Sequence, residues 1–125
     1  MKQTSALKKP KRIKPLLEGE FLEQVIDMAH VYGWICAHFR PAKTADGWRT
    51  AVSGDGVGFP DLFLLRPATG HAIAAELKVG RRKKTAEQED WLNAMEECGI
   101  PAFTWTPGDW EEIEDALKNG ARPAK

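Results

Sequence analysis

Long apolar runs are missing from this chain, and so are most of the residues that build metal or disulfide frameworks. No stretch approaches the roughly 18 consecutive apolar residues a membrane-spanning helix needs. Met1–Pro15 has no apolar core of a secretory signal. An intracellular, cytoplasmic setting is therefore expected. Cysteine is scarce: Cys36 and Cys98 make no disulfide framework, which suits a reducing compartment, and three scattered histidines leave little for a structural zinc. Net charge is lacking as well. Eighteen Lys and Arg balance eighteen Asp and Glu, which excludes a uniformly basic nucleic-acid coat.

The balance conceals an asymmetry. Residues 1–15 hold six basic side chains and no acid, so the other 110 carry twelve basic against eighteen acidic, a net of −6. The run from Thr85 to Asp115 has ten acids and no Lys or Arg. Any polyanion must be met locally, and this split predicts a molecule whose acid lies on one side. At 125 residues the chain is one domain's worth, able to bury about two-thirds of its unfolded surface. The expected division is a disordered basic arm over 1–15, a single domain over 16–120 and a tail over 121–125.

Periodicity predicts the elements. Phe21, Val25 and Met28 repeat at helical spacing, giving a helix over Glu18–Val31 that stops at Gly33. Trp34–Phe39 reads as a strand, and Arg40–Pro60 as a long loop ending in a glycine-rich run. A hairpin follows: Asp61–Arg66, a turn at Pro67–Gly70, and His71–Val79. Thr85-Ala86-Glu87-Gln88 is a capping box opening a helix with Trp91, Leu92, Met95 and Cys98 as its buried stripe. Ala102–Thr106 is a fourth strand, and Asp109 caps a final helix. The order is that of an α/β (α+β) fold, a mixed four-stranded sheet flanked by helices.

Chemistry concentrates in His71–Val79. Alternation along a strand puts Ile73, Ala75, Leu77 and Val79 on one face and Ala72, Ala74, Glu76 and Lys78 on the other. A carboxylate and an ammonium stand side by side, preceded by alanines that leave room. The hairpin returns Asp61 to the same end of the sheet. Two carboxylates a few ångströms apart repel, and one is pushed toward protonation unless a cation sits between them. All-oxygen ligation suits Mg²⁺ or Mn²⁺, and an ion there can activate water against a phosphodiester. Arg81, Arg82, Lys83 and Lys84 follow directly, a patch suited to phosphate contacts, with Arg40 a further candidate in the long loop.

Gly58-Phe59-Pro60-Asp61, Glu76-Leu77-Lys78 and Gln88 together resemble the PD-(D/E)XK nuclease pattern and, more narrowly, the VRR-NUC (virus-type replication-repair nuclease) family. The likeness covers roughly residues 18–118. It implies a restriction-endonuclease-like αβββαβ core and Mg²⁺- or Mn²⁺-dependent DNA cleavage. By the same resemblance the metal ligands are Asp61, Glu76 and the Leu77 carbonyl, Lys78 is the catalytic lysine and Gln88 an active-site glutamine. A first-helix glutamate of the active site, and a further candidate metal ligand, maps onto Glu20, with Glu18 and Glu23 on the same helix. The family further implies a homodimer acting on branched DNA such as Holliday junctions. The alternatives are a non-catalytic DNA-binding or assembly module on the same fold, and an RNA nuclease of the same mechanism.

Overall fold

The computed structural model describes residues 17–39, 42–44, 47–49, 54–80 and 83–121. The expected basic arm lies outside the described residues, as does the tail beyond Ala121. In chain order the elements are α1 (Glu18–Val31), β1 (Ile35–His38), β2 (Ala42–Thr44), β3 (Gly47–Arg49), β4 (Leu62–Arg66) and β5 (His71–Leu77). Then come α2 (Ala86–Glu97), β6 (Ala102–Trp105), a 3₁₀ turn (Pro107–Asp109) and α3 (Trp110–Asn119). The main sheet runs β1-β4-β5-β6, antiparallel except for the parallel pair β5 and β6. Among the described residues no helix is long and apolar enough to cross a membrane.

Helix α1 buries Phe21, Val25, Met28 and Ala29, the stripe its spacing predicts, and the chain turns out of it through Gly33 at φ 87°. This stripe and that of α3 (Trp110, Ile113, Ala116, Leu117) pack on one face of the sheet against Leu62, Leu64, Ile73, Ala75, Leu77 and Trp105. Helix α2 covers the opposite face over β5 and β6. With both faces covered, β5 is buried from Ile73 through Leu77. Away from α2 that face is open, and Ile35 and Leu65, paired across β1 and β4, stay exposed.

Four expectations need correction. The long loop after β1 contains a second sheet, the hairpin β2–β3 with Thr44 paired to Gly47. Cys98 is not in the α2 stripe: it is the exposed C-cap, and Trp91 is half-buried beside Leu92 and Met95. The Asp109 carboxylate does not serve α3; Oδ2 accepts the Thr106 N–H (2.9 Å) and hydroxyl (3.0 Å), closing the preceding 3₁₀ turn. Acid is also not confined to one side. The chain passes through β6 between α2 and α3, so Glu87, Glu89 and Asp90 lie on one helical layer and Glu111, Glu112 and Asp115 on the other.

One buried cation was not anticipated. Arg66 ends β4 at 8% exposure, and its Nη1 donates to the carbonyls of Leu117 (2.9 Å), Lys118 (3.2 Å) and Tyr32 (3.3 Å). Its guanidinium lies 4.9 Å from the centre of the Trp34 ring, whose Nε1–H also donates to Leu117 (2.8 Å). Arg66 thus supplies donors and positive charge where α1 and α3 run out of them.

Candidate active site

The site begins where the β4–β5 ladder stops. The register pairs Leu62 with Ala75, so one step on Asp61 faces Glu76, and a second step puts Pro60 opposite Leu77. The Asp61 carbonyl accepts the Phe39 N–H (3.0 Å), which turns the Asp61 backbone toward β1. Asp61 and Glu76 therefore occupy a non-hydrogen-bonded pair, the kind that brings opposed side chains closest. Pro60 has no N–H to continue the ladder. The Asp61 side chain takes over: Oδ2 accepts the Leu77 N–H at 2.8 Å. The Leu77 carbonyl points to the same edge as its N–H, where Pro60 has no donor to meet it.

Glu76 is nearly sealed, at 2% exposure, under α2. Its Oε2 accepts Gln88 Nε2–H at 2.8 Å and lies 3.4 Å from Lys78 Nζ. Its Oε1 is buried without a hydrogen-bond partner. Lys78 stands just past β5, where its N–H still bonds the Trp105 carbonyl (2.9 Å), so strand alternation persists and the side chain shares the face of Glu76.

Gln88 has two roles at once. As the third residue of α2 it completes the capping box: Oε1 accepts the Thr85 N–H (2.9 Å) while Thr85 Oγ1 accepts the Gln88 N–H (3.1 Å). With the amide oxygen engaged at the cap, the amide nitrogen is aimed at Glu76. One amide thus makes both the cap and the contact with Glu76.

Electrostatics follow from burial and proximity. Desolvation, then the charge of Asp61, push the Glu76 carboxyl up to about 7, with Lys78 pulling the other way. Asp61 is raised as well, by burial first with the charge of Glu18 adding to the rise, while the Leu77 N–H, a hydrogen bond shared with the Glu76 carboxyl and the Lys78 charge oppose it. Two carboxyls in this state, one with an unpartnered buried oxygen, are short of positive charge. Among the described residues no group of three or more His, Cys, Asp or Glu comes together. The available donors are the two carboxylates and the Leu77 carbonyl, a hard all-oxygen set that fits Mg²⁺ or Mn²⁺ completed by water.

The structure thus gathers Asp61, Glu76, Lys78 and Gln88. It does not bring Glu20 to them: that carboxylate is exposed and accepts the Leu17 N–H (3.0 Å) at the start of its own helix. The first-helix carboxylate that Asp61 feels is Glu18. Its position was readable, since Glu18, Phe21 and Val25 are spaced i, i+3, i+7 and the buried stripe extends back to it. Of the candidate phosphate contacts, Lys83 is exposed and Lys84 is tied to Glu89 (2.8 Å). Arg40, Arg81 and Arg82 lie outside the described residues.

The family model described as the VRR-NUC domain matches residues 34–106, more than half of the chain. The match takes in Asp61, Glu76, Lys78 and Gln88 and leaves α1 and α3 outside. No curated protein matches, and no solved structure does.

Proposed function

The chain belongs to the VRR-NUC domain family, a nuclease-type family, and from that premise we propose that it is a Mg²⁺- or Mn²⁺-dependent endonuclease hydrolysing DNA phosphodiester bonds. We propose further that it acts as a homodimer on branched DNA such as four-way junctions, inside the cell. One observation carries the reading: the buried Glu76 carboxyl stands opposite the half-buried Asp61 and beside Lys78, and its Oε1 has no protein N–H or O–H donor. Burying such a group without compensation is costly. A purely structural ion pair does not require it.

Asp61, Glu76 and the Leu77 carbonyl would hold the cation. When bound, it acidifies a ligated water and offsets charge on the phosphate oxygens. Lys78, already within 3.4 Å of Glu76, aligns the attacking water or neutralises the phosphate as negative charge builds. Gln88 fixes the Glu76 carboxylate so that its second oxygen stays directed at the site. Lys83, with Arg40, Arg81, Arg82 and Lys84, is assigned to backbone phosphates, which are recognised without regard to sequence.

The test is cleavage of labelled duplex, flap and four-way junction DNA with Mg²⁺ or Mn²⁺, with RNA strands run alongside. Wild type is expected to cut DNA, the junction best. Asp61→Ala and Lys78→Ala are expected to lose about 10²-fold or more in rate. Binding without turnover would favour the non-catalytic module, and equal cleavage by the variants would remove Asp61 and Lys78 from the chemistry.

A further inference from the structure

The segment that delivers Asp61 to the site has little structure of its own. Gly54, Gly56 and Gly58 fall within six residues, and the internal backbone bond is Phe59 N–H to the Gly56 carbonyl (3.0 Å). It is instead fastened to α2 at three points. Gly58, at φ +88°, presses on the first turn of α2 so closely that a Cβ there would lie 2.6 to 2.8 Å from the Glu87 carbonyl group and Cβ. The Trp91 indole N–H donates to the Asp55 carbonyl at 3.0 Å. The Phe59 ring meets Trp91 edge-on, with centroids 5.0 Å apart, and meets Phe39 edge-on at 5.1 Å. Glu87 and Trp91 are four residues apart, one above the other on the helix.

The same turn carries Gln88, which holds Glu76. One helix therefore grips both carboxylates, Glu76 through an amide and Asp61 through the chain two residues ahead of it. We propose that Trp91, acting through Asp55 and Phe59, is a positioning residue that sets Asp61 against Glu76 for cation binding. The assignment rests on the nuclease reading above. Trp91 does not touch the reacting atoms; its effect is on where Asp61 stands. Groups that orient metal ligands commonly change metal affinity when removed, whereas a residue that merely fills space changes stability alone.

The experiment separates the two. Mn²⁺ binding to the full chain is measured by titration calorimetry for wild type, Trp91→Phe, Gly58→Ala and Leu92→Ala, each shown to be folded by circular dichroism. Trp91→Phe keeps a ring against Phe59 and removes the N–H. Leu92→Ala empties a buried position on the same helix that makes none of the three contacts just described. Trp91→Phe is expected to weaken Mn²⁺ binding about tenfold, Gly58→Ala at least as much, and Leu92→Ala to leave it at the wild-type value. Excess Mn²⁺ should restore cleavage by Trp91→Phe but not by Asp61→Ala. Wild-type affinity in Trp91→Phe, or equal weakening in Leu92→Ala, overturns the positioning role while leaving the nuclease reading intact. Wild type that takes up no Mn²⁺ overturns the nuclease reading, and this inference with it.

Discussion

A carboxyl that folding buries beside another carboxyl binds its proton more tightly than the unfolded chain does. For Glu76 the rise is from an ordinary 4.5 to about 7, caused by desolvation first and Asp61 second. Between those values the folded protein retains a proton that the unfolded chain has released. Metal-free stability is therefore expected to fall as the pH rises through that window, and to be unaffected by Glu76 below it. Urea titrations in a chelator at several pH values check this, and Glu76→Gln should flatten the dependence. The opposition of Asp61 and Glu76 was legible in the sequence because a hairpin converts spacing into register. Glu18 was harder, with three glutamates on one helix. The spacing of Glu18 from Phe21 and Val25 is the one signal that sets it apart from the other two.

Among elements, the helices with strong local signals are where their sequences put them: α1 by its apolar period, α2 by its capping box. Pieces held by distant partners were not legible. Arg66 bonds residues 34, 51 and 52 positions away, and no local pattern announces a cation that caps two helices through space. Its removal takes a charged donor from the carbonyls of Tyr32, Leu117 and Lys118, of which Leu117 keeps the Trp34 indole N–H. Arg66→Leu is expected to cost about 2–4 kcal/mol of folding free energy, since bonds from charged donors contribute more than neutral ones. Urea denaturation measures the loss. Because Arg66 lies at the far end of β4 from Asp61, Mn²⁺ affinity should stay at the wild-type value.

Across the whole molecule, neutrality arises from segregated charge. Among the described residues, acidic side chains lie on both helical layers, and Lys83 and Lys84 precede α2 at the end of the sheet that carries the site. Lys83 and Lys84 differ there, one exposed and the other paired with Glu89. If Lys83 meets phosphate, Lys83→Ala should lower the salt slope of DNA binding by about 0.9. Lys84→Ala should change it less, because Lys84 must first leave Glu89. Fluorescence anisotropy over a salt series reads both. At this scale the sequence conveyed the total of charge but not its distribution, since layer assignment depends on which face each crossover helix takes. The end of the sheet also carries its own reporter. Where Pro60 interrupts the ladder, the Leu77 amide is guarded by the Asp61 carboxylate, so deuterium uptake at that single position tracks the carboxylate's whereabouts, with the neighbouring amides of β5 as an internal clock.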